Sequence, residues 1–176
     1  FIPMTSLSES CMHVAPIEQR AGASGARFQN GDTLFARITP CLENGKTAYI
    51  QCLDQGEVAS GSTEFIVLRS KQLCPEYTYL LARSEPFRAH AIQSMSGASG
   101  RQRVRESCFN SFLLPVPPDT LLRSFAAQVR PIFELSYALF ITNSILRSTR
   151  DLLLPRLFSG EVDVADLDIV VPEVAA

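Results

Sequence analysis

Histidine is almost missing from this chain, with only His13 and His90 among 176 residues. Two isolated imidazoles supply neither a Ser/His/Asp triad nor a metal set, so a structural or solvent-facing role is expected for each. Phosphate cradles are missing as well. Asn44-Gly45-Lys46-Thr47 has the ending of a P-loop, but Pro40 stands where that motif needs glycine, and a strand rather than a helix is expected to follow. There is no Gly-x-Ser-x-Gly elbow and no glycine fingerprint for a dinucleotide after a strand. Pro117-Pro118 lacks the leading Asn or Asp and the trailing aromatic of the Asn-Pro-Pro-Phe type of motif that amino-methylating enzymes use. Catalysis, a bound cofactor and a bound metal are therefore not expected on this chain.

Long apolar runs are also absent. Glu134, Asn143 and Arg147 interrupt the longest stretch, short of the roughly 18 residues of a membrane span. The five cysteines are odd in number and lack Cys-x-x-Cys spacing, which points to reduced thiols in an intracellular protein and away from zinc. The opening Phe1-Ile2-Pro3-Met4 falls inside what reads as a strand, as in a fragment of something longer.

Lysine is scarce, and the net charge of −2 argues weakly against a nucleic-acid partner until the charges are placed. The tail after Gly160 holds five of the 18 acids and no base, leaving 16 bases against 13 acids in the remainder. Fourteen of those bases are arginine, whose planar fork suits phosphate and guanine better than the point charge of lysine. From Arg83 to Arg105 there are five arginines and one acid, Glu85. A solvated surface would have the same composition, so charge alone decides nothing.

Strands are predicted over residues 1–7, 33–39, 46–53 and 63–69, with Asn30-Gly31-Asp32 as a turn and an irregular stretch up to Gln29. Helical spacing follows over 75–95, divided by Pro86, whose fixed φ suits the first turn of a second short helix. Ser96-Gly97-Ala98-Ser99-Gly100 reads as a loop too flexible to hold its shape without a ligand or neighbours, running directly into Arg101-Gln102-Arg103. Its hydroxyls and backbone amides suit phosphate oxygens, while Arg and Gln suit guanine and adenine edges. Residues 109–116 return to strand. The fold class is thus α+β, a mainly β domain with short helices over 1–117, a helical arm over 118–160 and an acidic tail over 161–176.

The arm carries a heptad seam. Phe125, Ile132, Leu139, Leu146 and Leu153 share one register; Leu122, Val129 and Leu157 share the other. Ser136, Asn143 and Arg150 are polar seam positions, and a buried Asn fixes register and partner at a cost in packing. Phe133, Tyr137, Phe140 and Ile141 lie off the stripe, so the arm needs partners on several sides. Pro131 and Pro155 are expected to break it, giving a leading helix to Arg130, a longer piece from Pro131 and a last turn ending at Gly160.

Five segments resemble the target recognition domain and spacer of Type I restriction-modification specificity subunits. These are residues 31–40 (GDTLFARITP), Asn44-Gly45-Lys46, Gly61-Ser62-Thr63-Glu64-Phe65, residues 96–104 (SGASGRQRV) and residues 153–162 (LLPRLFSGEV). The resemblance implies a sequence-specific reader of double-stranded DNA in a bacterial or archaeal cytoplasm. In that family two recognition domains, each reading half of a split site, are separated by two helices packed antiparallel as a ruler. Methyltransferase and restriction subunits dock on it and hold the S-adenosylmethionine, ATP and Mg. The present chain has one domain, lacking its start, and one helix, as in half a subunit. Carried onto this sequence, the motifs place Arg37, Thr39 and Lys46 on one DNA-facing loop. They place Ser62 and Thr63 on a second, and Ser99, Arg101, Gln102 and Arg103 on a third. Phe125, Ile132, Ser136, Leu139, Asn143, Leu146 and Leu153 would form a spacer and self-association interface. A structural role is the alternative for each of the DNA-facing residues, with Arg37 pairing with Glu64 and Thr63 only shaping a turn. The rival reading is a helical assembly module that docks other subunits without reading DNA.

Overall fold

A computed structural model describes residues 1–20, 22, 24–98 and 100–165. Five short strands, β1 (Ala26–Phe28), β2 (Thr33–Ala36), β3 (Thr47–Tyr49), β4 (Ala59–Gly61) and β5 (Phe65–Leu68), precede three helices. These are α1 (Pro75–Arg83), α2 (Glu85–Gln93) and α3 (Asp119–Phe158), with 3-10 turns at Met4–Ser6 and Glu106–Ser111. The class is α+β, and the chain divides into compact units Phe1–Tyr137 and Ala138–Ala176.

In the first unit β2 lies between β3 and β5, antiparallel to both. All four β2 residues are buried because both faces of the sheet are covered. Alternation along the strand sends Leu34 and Phe35 to opposite faces. Leu34 joins Ile2, Leu7, Phe28, Ile50 and Phe65 in one core; Phe35 joins Leu42, Ile66, Phe87, Ala91 and Val104 in the other. The turn before β2 is built by Asp32, whose carboxylate accepts from the Gln29 amide at 2.8 Å and from Arg69 Nε and Nη2 at 2.6 Å each.

Several local expectations are corrected. Residues 1–7 form no strand; Ile2 and Leu7 make isolated bridges around a 3-10 turn. The β1–β4 pair was not expected, since β1 falls in the stretch read as irregular and Ser60-Gly61-Ser62 reads as a turn. Gly61 is needed there by close approach. A Cβ on it would meet the Ile2 carbonyl at 2.8 Å and the Phe28 ring at 2.9 Å. Residues 109–116 are likewise no strand. Phe109 stacks on Phe87 at 4.6 Å and Phe112 meets the same ring at 5.1 Å. A 3-10 turn puts positions three apart on one side, where a strand would split them.

The helix runs unbroken through Pro131 and Pro155. Each proline removes one hydrogen bond and crowds the carbonyl one turn earlier, together about 3 kcal/mol, against the many intact bonds of a 40-residue helix. Residues 119–137 pack within the first unit. Phe133 is buried between Tyr49 and Tyr79, ring centroids 5.1 and 5.7 Å away, both edge-to-face. Phe125 meets Tyr77 at 5.5 Å, and Arg130 Nε donates to buried Glu76 at 3.0 Å. Ser136 Oγ lies 3.0 Å from Nε2 of buried His13. The seam positions Leu122, Phe125, Val129 and Ser136 therefore face their own domain, whereas Ile132 is exposed.

The second unit opens with residues 138–158 of α3. Leu139, Ile145, Leu146, Leu152 and Leu153 are exposed, as is Asn143. Asp166, Asp168 and Glu173 of the acidic tail lie outside the described residues. No helix is long and apolar enough to cross a membrane, among the described residues.

Candidate nucleic-acid interface

The end of β2 gathers three loops. Ala36 donates its amide to the Lys46 carbonyl at 3.1 Å, and Arg37 donates to the Glu64 carbonyl at 3.0 Å. Thr39 donates to the Gln102 carbonyl at 3.1 Å, while Val104 donates back to Arg37 at 2.9 Å. Segments 36–39, 62–65 and 102–104 are thus tied edge to edge, which brings Arg37, Thr39, Lys46, Ser62, Thr63, Gln102 and Arg103 to one end of the sheet. No metal-holding cluster of His, Cys, Asp or Glu occurs among the described residues.

The segment from Ser96 to Arg103, expected to need a ligand or neighbours to hold its shape, has neighbours in the strand-end residues Ile38 and Thr39. Ser96 and Arg103 exchange both backbone hydrogen bonds, at 3.1 and 2.9 Å, and close a hairpin. Within it the Arg101 amide donates to Ala98 at 3.0 Å, and Gly100 takes a φ of +77° that side-chain-bearing residues rarely adopt. Ser99 lies outside the described residues. Arg101 is exposed, and among the described residues its guanidinium has no partner.

Not every gathered side chain is open for a ligand. Thr39 Oγ1 donates to the Gln102 carbonyl at 3.3 Å, Ser62 Oγ accepts the Glu64 amide at 3.2 Å, and Lys46 Nζ donates to the Met4 carbonyl at 3.4 Å. These three shape the loops. Thr63, Arg101 and Arg103 are exposed. The anticipated Arg37–Glu64 pair is replaced: Glu64 is held by Arg103, through Nε at 3.0 Å to both carboxylate oxygens and Nη2 at 2.8 Å. That hydrogen-bonded guanidinium holds the Glu64 carboxyl below the usual range, with a smaller contribution from the charge of Arg37. The Arg103–Glu64 link spans 39 positions and left no local signal in the sequence.

An α+β domain whose central strand ends in converging polar loops, continued by a long helix, is the fold of Type I restriction specificity subunits. The chain superposes on the HsdS subunit of Thermoanaerobacter tengcongensis with a TM-score of 0.57 at 18% identity, covering 96% of this chain and 44% of that one. A chain from work on complex assembly and conformational transition of a type I R-M system gives a TM-score of 0.56 at 20% identity, with the same coverages. At such identities the likeness is one of fold. Sequence carries the relationship further: the chain is related to the specificity subunits of Type I restriction enzymes. It is 32% identical over 120 residues to the EcoEI specificity subunit of Escherichia coli, covering 67% of this chain and 19% of that protein. It is 37% identical over 93 residues to the EcoAI specificity subunit of the same species, covering 52% and 16%. The HindI specificity subunit of Haemophilus influenzae is 30% identical over 97 residues, covering 55% and 21%. These matches span about a fifth of the curated relatives' length. No protein-family profile matches the chain.

Proposed function

We propose that this chain reads one half of a split double-stranded DNA site, as the specificity component of a Type I restriction-modification system. The observation that carries the reading is the convergence at the β2 end. Loops separated by up to 66 positions, from Arg37 to Arg103, meet there and present exposed arginine and hydroxyl groups. Duplex DNA is recognised by such mixtures, with hydroxyls and cations on the backbone and planar forks on base edges. Arg101, Gln102 and Arg103 enter from the hairpin, Ser62 and Thr63 from the loop before β5, and Arg37, Thr39 and Lys46 from the β2 end; Ser99 is assigned to the same contact by its motif alone. The chain performs no catalysis in this reading. Methyltransferase and restriction subunits carry the S-adenosylmethionine, ATP and Mg chemistry and are directed to the site by the specificity chain.

The second half of α3 serves as spacer. Leu139, Asn143, Leu146 and Leu153 are exposed at heptad spacing there, and a second copy packed antiparallel would cover them and supply the other half-site. Concentration-dependent sedimentation is expected, and a monomer persisting at high micromolar concentration would exclude the pairing. For DNA reading the decisive measurement is the methylome of the source strain with and without the gene. Loss of one bipartite methylation motif is expected; an unchanged methylome sinks the reading.

A further inference from the structure

The two arginines that flank Gln102 differ in what surrounds them. Arg101 sits at the hairpin tip, exposed, with one backbone bond and no partner for its guanidinium among the described residues. Arg103 is fixed twice. Its backbone is locked to Ser96 and bridged to Ile38, two residues beyond β2, and its side chain is gripped by Glu64.

The grip is one-sided. Glu64 takes Nε–H and one Nη2–H, the lateral edge of the guanidinium, with N–O distances of 2.8 to 3.0 Å. The outer edge, Nη1 with the remaining Nη2–H, has no partner among the described residues, and the Arg103 side chain is 46% exposed. That outer fork of parallel donors matches the O6 and N7 acceptors of guanine in the major groove. A phosphate is the poorer match. The Glu64 carboxylate, 25% exposed, cancels the cation and would repel a phosphate brought to the same guanidinium. A base edge carries no net charge and escapes that repulsion.

We propose that Glu64 is a positioning residue that turns Arg103 into a reader of guanine, while the unpaired Arg101 is a backbone contact. The proposal rests on the DNA-reading function above and assigns different tasks to residues that the sequence makes look alike. A neutralised, immobilised fork contributes direction with little counterion release; a free cation contributes affinity that falls with salt and carries no sequence information.

The test uses the full chain and a pool of duplexes with a randomised core, selected and sequenced, together with the affinity for one random duplex across salt concentrations. Arg101→Ala should weaken binding to all sequences alike and lower the salt slope by about one. Arg103→Lys keeps the charge and loses the fork. It should leave random-duplex affinity within about twofold and reduce preference for guanine at one position by about tenfold or more. Glu64→Gln is the distinctive variant: random-duplex affinity and salt slope should rise, because a cation is unmasked, while preference at that same position falls. Melting curves of each variant report folding. Equal salt slopes lost from Arg101→Ala and Arg103→Ala, or Glu64→Gln without effect on base preference, would overturn the division of labour while leaving DNA reading intact. A wild-type chain that enriches no sequence from the pool would remove DNA reading itself, and this proposal with it.

Discussion

Residues 119–137 and 138–158 belong to one helix and carry similar densities of apolar side chains, yet only the first stretch buries any of them fully. Leu122 and Phe133 are below a tenth exposed, while Leu139, Leu146 and Leu152 are more than half exposed. The difference lies in the supply of opposing surface. The first stretch meets Tyr49, Tyr77 and Tyr79, with Glu76 and His13 placed for its polar groups. The second is left with a solvent-facing seam. Heptad spacing therefore marks where a helix can be covered and says nothing of whether its own chain or another does the covering.

The largest effect expected from this contrast is at Phe133. Phe133→Ala removes a buried ring from an aromatic cluster and should cost about 3–5 kcal/mol in denaturant unfolding. Leu146→Ala, measured at low protein concentration, should stay within about 0.5 kcal/mol, as surface substitutions do. Comparable costs would erase the distinction between the two stretches. A smaller effect is expected at Arg130. Its side chain is 55% exposed, so water screens part of the bond to Glu76, and Arg130→Ala should cost about 1–2 kcal/mol. Thermal melts that do not move would mean the pair contributes nothing to seating the helix.

The mildest change concerns pH. Burial holds His13 below its ordinary value near 6.5, partly opposed by its bond to Ser136. The folded imidazole stays neutral where the unfolded one binds a proton, so stability is complete above about 6.5 and declines as pH falls below it. The decline should level off once the pH has passed the lowered value. Melting temperatures that are flat from neutral pH to 5, after matching a His13→Gln control, would remove this histidine as the cause.

Much of the domain could be read from local pattern. Pro86 separates α1 from α2 as its geometry requires, and the apolar run at β2 appears as the central strand. Other parts could not. β1 and β4 are three residues each and pair across more than 30 positions, and β4 is bonded in turn to Ile2, far away in sequence. The hairpin from Ser96 to Arg103 has the composition of a floppy linker and is ordered by its ladder to the β2 end. Among the candidate DNA contacts, the residue types and their loops were visible in the motifs, but not which hydroxyls are already engaged, nor that Arg103 is the partner of Glu64.

Local pattern along the chain was enough for the kind of molecule: an α+β domain, a long apolar-seamed helix and arginine-rich loops. These follow from periodicity and residue chemistry, which act over a few positions. Tertiary structure alone decided which arginine is bound to a carboxylate, which half of the helix is covered, and which loops stand side by side. Those outcomes depend on groups dozens of positions apart competing for one another in space, and a competition of that range leaves no periodic trace along the chain.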